Sequence, residues 1–234
     1  MMSIICVYNN KEILNKYLSS SLNTQSIEYE LILVDNRNNE FSSAASALNH
    51  GAKKATGDYF VFAHQDIFFS DPDWIKNTTL QIDKLKNVGI IGVAGKTTDS
   101  IVRSNIKQGV PAVDVSPFKL EKEEKASTID ECLFIIPKNV FENYKFNEKV
   151  CPDWHLYAVE YVYNIKKAGF EAYIIPTVVE HRSKGASMSE SYYTTLPNLQ
   201  KKYLKKGLIR TCMGDWFTFI PVQVQRFIKR FKMY

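Results

Sequence analysis

The 234-residue sequence lacks most of the features that mark specialised protein classes. It has four cysteines, Cys6, Cys132, Cys151 and Cys212, with no C-x-x-C pair and no regular spacing. Neither a zinc ribbon nor a disulfide framework is encoded, and a reducing compartment fits best. No apolar run approaches the ~18 residues that a membrane-spanning helix needs. The start, MMSIICVYNN, has no basic stretch ahead of its short apolar run, which argues against a secretory leader. These absences predict a cytoplasmic protein. There is no internal repeat and no low-complexity segment. No helix-turn-helix, zinc or RNA-recognition signature is present either, so no nucleic-acid partner is expected. What remains is an ordinary globular composition, 45% hydrophobic and 24% charged. Such a chain can bury roughly 70% of the surface its unfolded form exposes.

Acidic residues are nearly absent from one region. From Pro197 to Tyr234 nine Lys/Arg face a single acid, Asp215, a balance of +8 within a total of +5, which leaves −3 for the first 196 residues. A basic tail on a mildly acidic body reads as a contact with an anionic surface. The chain is accordingly divided into a body, 1–195, and a helical basic tail, 196–234.

Along the body, buried strands alternate with helices. Apolar runs at residues 3–8, 30–34 and 59–63 read as strands covered on both faces. Between them lie a helical pattern through Ile13, Leu14, Tyr17, Leu18 and Leu22, and a helix over 42–55 with Gly57 as its C-terminal cap. The second half predicts a helix over 74–86, a strand over 89–94, a loop-rich excursion over 96–127, a strand over 132–136, a helix over 154–168 closed by Gly169, and a strand over 171–176. Alternation at this spacing predicts an α/β fold, Rossmann-like, with a mostly parallel sheet flanked by helices.

In such sheets ligands bind outside the carboxyl ends of the strands. That rule selects Tyr8-Asn9-Asn10 after the first strand, Asp35-Asn36 after the second, and His64-Gln65-Asp66 after the third. Any one of these reads equally as turn chemistry. Three in succession point to a ligand.

The ordered pieces SIICVYNN, ELILVDN, Asn49-x-Gly51 and Ala55-x-Gly57-Asp58-Tyr59 leading into VFAHQD resemble the nucleotide-sugar half of family 2 glycosyltransferases of the GT-A fold. Asp130-Glu131 before LFIIPKNVFE, Phe146-Asn147-Glu148 and WHLY are similar to the acceptor half of a capsule and surface-polysaccharide subgroup. The resemblance spans residues 3–185. It implies that Asp35 meets the nucleotide base and that Val7, Tyr8, Asn9, Asn36, Asn49, Lys53, His64, Gln65 and Asp66 surround a nucleotide-diphosphate sugar donor. It also implies that Asp66 and His181 hold a divalent cation, Mg²⁺ or Mn²⁺, and that Asp130, Glu131 and Trp154 meet a glycan or lipid-linked acceptor. The family's D-x-D element is His64-Gln65-Asp66 here, which leaves one carboxylate. One carboxylate suffices for a cation that also takes substrate phosphates and water. Arg182 and Lys184 are further candidates to face phosphates, as are Lys53 and Lys54, which read more readily as a solvated helix surface, and the resemblance allows Ser183 to Ser191 as a loop closing over the donor.

Inverting sugar transfer needs a base for the acceptor hydroxyl. Counting back from Gly169, Glu160 matches the second acid of the family's helix, whereas Ala158 stands at the usual base position. Asp153, then His155, are the candidate bases, Asp153 also reading as a helix cap. The implied activity is sugar transfer in bacterial surface polysaccharide synthesis. The alternative is a degenerate chain that binds nucleotide sugar as a partner subunit.

In the tail, Pro221 can open a helix at its first turn. Val224, Phe227, Ile228 and Phe231 recur at spacings of three and four, with Arg226, Lys229, Arg230 and Lys232 at other positions. This pattern predicts an amphipathic helix lying on the inner face of a membrane, its basic groups reaching headgroups. The competing readings pack the apolar stripe on the protein's own body or on a second copy in a homodimer.

Overall fold

The computed structural model describes residues 1–183, 185 and 188–231. Lys184 and Lys232 lie outside the described residues, as does part of the 183–191 segment.

The first apolar run forms β1 (Met2–Tyr8). Asn10 caps the next turn, its side chain accepting from the Glu12 and Ile13 amides, and opens α1 (Lys11–Leu14). A π-helical stretch, Asn15–Ser19, leads on to α2 (Ser20–Leu22). Then follow β2 (Tyr29–Asp35), α3 (Ala44–Ala52), β3 (Tyr59–Ala63), β4 (Ile67–Phe68) and α4 (Trp74–Ile82). The second half comprises β5 (Val88–Gly92), β6 (Ala94–Thr97), β7 (Val102–Ser104), β8 (Lys107–Gln108), β9 (Val113–Asp114), β10 (Glu124–Ile129), β11 (Leu133–Pro137), α5 (Lys138–Asn143), α6 (Tyr157–Lys167) and β12 (Glu171–Ile174). It closes with β13 (Glu180–His181), α7 (Glu190–Lys202), β14 (Leu208–Thr211), β15 (Gly214–Phe217) and α8 (Val222–Phe231).

Nine strands form the central sheet in the order β2-β1-β3-β11-β5-β12-β10-β6-β7. Parallel and antiparallel pairings combine so that β2, β1, β3, β5, β12 and β6 all point the same way, six of the nine. Both faces are covered. Met2, Ile4, Cys6 and Tyr8 of β1 pack with α1, α2 and α4, while Ile5 packs with α3 and the aromatic layer on the other side. Burying one such side chain stabilises by ~1.5–3 kcal/mol. β1 lies between β2 and β3, so the chain crosses over on either side of it and leaves a crevice at the carboxyl ends of all three.

Several sequence expectations need correction. The 96–127 excursion contains β7, β8, β9 and most of β10. Gly57 is not a helix cap: α3 ends at Ala52, and a Cβ at residue 57 would lie 2.7 Å from the Met1 carbonyl oxygen and the Ser3 hydroxyl. Glycine is needed there because two backbones approach closely. The body–tail division at 195 falls inside α7, and Leu196, Leu199, Ile209, Trp216 and Val222 belong to the same core as α6. The tail is also not wholly helical, since β14 and β15 form a hairpin.

α8 turns inward the face opposite to the one that packing of its apolar stripe on the protein's own body would require. Val222 and Gln225 are buried, Arg226 pairs with Glu190 and stacks over Tyr193 at 3.9 Å, and Lys229 lies 3.8 Å over Trp216 while donating to the Asp215 carbonyl. Residues 222, 225, 226 and 229 make one helical face. Val224, Phe227 and Ile228 make the other and are exposed. Aromatic rings attract the two cations, which docks the polar stripe.

Candidate active site

A cavity of about 330 Å³ opens at the ends of β1, β2 and β3. Val7, Tyr8, Asn9, Asn36 and Asn39 form one side, Ala44 and Leu48 of α3 the second, and His64, Gln65, Asp66, Glu131, Trp154 and Tyr157 the inner end. A second cavity of about 200 Å³ shares His64, Asp66 and Glu131 with it and adds Asp130, His155, His181 and the hairpin residues Cys212 and Met213. The two form one cleft.

The walls after β1 and β2 are braced by their own polar groups. Gln65 accepts from the backbone amides of Asn9 (3.1 Å) and Asn10 (3.0 Å), and its amide nitrogen donates to the Asn9 side chain at 2.8 Å. The side chain of Asn36 is buried and bonds both the amide and the carbonyl of Phe41, which fixes the 36–41 loop. Asp35 is gripped by Arg37 through Nε at 3.0 Å and through a second nitrogen at 2.6 Å. Those hydrogen bonds, with Tyr8 adding another, hold the Asp35 carboxyl well below the usual carboxylate range. The same bond from the Tyr8 hydroxyl raises the tyrosine pKa.

At the inner end the short β13 pairs antiparallel with β4, placing His181 opposite Ile67 and beside Asp66. His181 Nε2 lies 3.3 Å from Asp66 Oδ1. The His64 backbone is fixed by donation to the Cys132 carbonyl, and its ring stands 5.6 Å from that of His181. One ligand atom each from His64, Asp66 and His181 falls within 4.8 Å of the others. His64 keeps surface open to the cleft yet sits where both cavities meet, and desolvation there, reinforced by His181, lowers its pKa. Neutral imidazole is the ligating form. Burial pushes the Asp66 pKa up, but the hydrogen bond and charge of His181 and the charge of His64 outweigh it, so the net shift is downward and the group is a carboxylate. Two imidazoles and one carboxylate with space around them fit a divalent cation. The nitrogen donors favour Mn²⁺ over Mg²⁺, which prefers all-oxygen shells.

Other sequence candidates fall elsewhere. Asp153 lines neither cavity; its two oxygens accept from the Trp154 amide and the Thr194 hydroxyl. It does not cap α6 either, because that helix begins at Tyr157 and its Ala158 amide donates to Glu131 Oε1 at 3.0 Å. Glu160 is wholly buried, paired with Lys202 and accepting from the Tyr203 hydroxyl at 2.9 Å. It ties α6 to α7 and lines neither cavity. Asn49 is a clamp as well, bonding the Phe146 backbone and Glu148. Lys53 and Lys54 are exposed beyond α3, and Arg182 pairs with Glu180. His64 stands at the first position of the D-x-D-like element, but a histidine in place of the acid leaves it outside the expected ligand pair of Asp66 and His181; the fold brings all three together.

The family model described as "Glycosyltransferase like family" matches residues 3–206. No curated protein matches the chain in sequence. Among solved structures, that of GalNAc-T7 with UDP, GalNAc and Mn²⁺ is similar at a TM-score of 0.63 and 15% identity, covering 86% of this chain and 47% of its own. S. aureus TarS (residues 1–349) gives 0.58 at 14% identity, covering 87% and 65%. The mannosyltransferase PcManGT from Pyrobaculum calidifontis, in complex with GDP-Man and Mn²⁺, gives 0.58 at 15% identity, covering 89% and 65%. The chain thus spans about half to two thirds of the length of these structures, and at such identities the likeness establishes the GT-A fold alone. With a family match over most of its length, the chain belongs to the glycosyltransferase-like family.

Proposed function

We propose that the protein transfers a sugar from a nucleotide-diphosphate donor to a glycan or lipid-linked acceptor in surface polysaccharide synthesis, with inversion at the anomeric carbon and with a divalent cation. The observation that carries this reading is the convergence of His64, Asp66 and His181 at the inner end of a cavity bounded by three strand ends. The nucleoside lies along Tyr8, Asn36 and Asn39, with Asp35 and Arg37 at its edge. Its diphosphate reaches toward His64 and Asp66. His64, Asp66 and His181 would hold the divalent cation, which would neutralise the charge of the diphosphate. Of the two candidate bases, His155 lines the cleft and Asp153 does not, so His155 is assigned the proton from the acceptor hydroxyl. Trp154, Asp130 and Glu131 border the acceptor.

The neighbours support this reading by their contents: one holds UDP, GalNAc and Mn²⁺, another GDP-Man and Mn²⁺. The test is turnover of UDP-GlcNAc, UDP-GalNAc and GDP-mannose with and without Mn²⁺. Cation-dependent release of nucleoside diphosphate is expected from one of them. Cation-dependent nucleotide binding without turnover, even with added glycan acceptors, would instead favour the partner-subunit reading.

Among the described residues no helix is long and apolar enough to cross a membrane. The basic C-terminal region is proposed to rest on a membrane surface, residues 196–231 of it as part of the same packed body. Phe217, Phe219, Val224, Phe227 and Ile228 are all exposed there, as are Lys205 and Lys206. Because Arg226 and Lys229 face inward, apolar insertion carries the contact on the α8 side, and Lys205 and Lys206 add charge to it. Full-length protein should sediment with anionic liposomes, and Phe227→Glu with Ile228→Glu should release it. Binding unaffected by that double change would refute the surface, and no binding at low salt would refute the membrane contact.

A further inference from the structure

We propose that Glu131 is the residue that positions His155 for proton transfer, and that the Ser189 hydroxyl marks the place the acceptor hydroxyl takes. This rests on His155 being the base.

Glu131 sits at the seam of the two cavities, between β10 and β11. Its Oε1 accepts the Ala158 amide at 3.0 Å, and its carbonyl accepts the Tyr157 hydroxyl at 3.3 Å. The carboxylate is therefore held from behind by the first turn of α6, where the helix dipole favours negative charge. Its other oxygen, Oε2, lies 3.9 Å from His155 Nδ1. A shift of the ring by about 1 Å would bring Nδ1–H within hydrogen-bond range of that carboxylate and leave Nε2 as the accepting nitrogen. Nε2 is 2.9 Å from Ser189 Oγ, an exposed hydroxyl just before α7. That is the separation at which a base takes a proton from an alcohol.

The helix itself offers no acid here, since residue 158 is a wholly buried alanine. Glu131 delivers a carboxylate to the same amide from a different strand connection. In the reaction Nε2 takes the acceptor's hydroxyl proton while that oxygen bonds to the anomeric carbon. The bond from that carbon to the diphosphate oxygen breaks, and the nucleoside diphosphate leaves with the electron pair. The Glu131 carboxylate stabilises the imidazolium that forms.

Three variants, Glu131→Gln, Glu131→Asp and His155→Gln, test this with the best of UDP-GlcNAc, UDP-GalNAc and GDP-mannose in Mn²⁺. In Glu131→Gln the new side-chain carbonyl can still accept the Ala158 amide, but the charge is gone. A fall in kcat of about 10²-fold is expected for Glu131→Gln, with donor KM within twofold, and an equal or larger fall for His155→Gln. Glu131→Asp keeps the charge and should retain more kcat than Glu131→Gln, whatever either change does to Tm. If His155→Gln is inactive while Glu131→Gln keeps its kcat, or if only donor KM rises, Glu131 does not position the base. A Glu131→Asp variant as slow as Glu131→Gln would also overturn the proposal. If His155→Gln itself keeps its kcat, the assignment of the base fails instead.

Discussion

The two sides of the cleft handle their polar groups differently. After β1 and β2 the groups are engaged with each other: Gln65 with Asn9 and Asn10, Asn36 with Phe41, Asp35 with Arg37. Around the inner end they face open space, with Asp66 between His64 and His181, and His155 between Glu131 and Ser189. Under the proposed function the first side is a receptacle whose shape its own hydrogen bonds set before a ligand arrives, and such preorganisation lowers the ordering cost of binding. The second holds ionisable groups that a neutral, fully bonded wall would not tolerate. Binding and chemistry should therefore separate under mutation.

The largest separation is expected at Asp66. Asp66→Ala removes the only carboxylate of the proposed metal-ligating group and should abolish turnover and the cation dependence of nucleotide binding. Its thermal melt should stay near that of the parent, since the group contributes little packing. Unchanged metal-dependent affinity by calorimetry would dissolve the distinction. Next is Trp216→Ala. The indole is buried and donates to the Tyr192 hydroxyl at 2.9 Å, which in turn meets Thr211 at 2.8 Å. Losing it should cost about 3–5 kcal/mol in denaturant titrations. A loss under about 1 kcal/mol, the size of an ordinary surface change, would mean that the hairpin carrying Cys212 and Met213 is an appendage and not a wall of the cleft.

A smaller effect is expected on the receptacle side. Gln65→Ala frees two backbone amides, each hydrogen bond being worth ~0.5–1.5 kcal/mol, so nucleotide affinity should fall about tenfold while kcat at saturating donor holds. A fall in kcat alone would put Gln65 in the chemistry. Arg37→Ala should do least to stability, because the pair is about half exposed and water screens it. By NMR titration the Asp35 carboxyl should rise toward the ordinary carboxylate range. An Asp35 pKa that does not move would show that Arg37 is not what depresses it.

The receptacle was legible in the sequence because its residues directly follow strands that are themselves legible. Uninterrupted apolar runs such as SIICVY and YFVFA read as buried strands with little ambiguity. The inner end was less legible. His181 reaches Asp66 only through the two-residue pairing of β13 with β4, and strands that short carry no periodic signal. Glu131 takes over the capping of α6 from a separate connection, which no spacing within the helix reveals. For α8 the period marked both stripes correctly, yet which one docks depends on Glu190, Tyr193 and Trp216, which lie outside the helix. Glu160 matched a motif position, but its surroundings, Lys202 and Tyr203, make it a buried tie between helices.

The most direct measurement is anomalous diffraction at the manganese edge from crystals grown with Mn²⁺ and UDP or GDP. One peak is expected among His64, Asp66 and His181, with the diphosphate oxygens completing its shell and the nucleoside along Tyr8 and Asn36. A nucleotide bound there with manganese elsewhere, or manganese among those three residues with the nucleotide in another place, would contradict the assignment of the cleft.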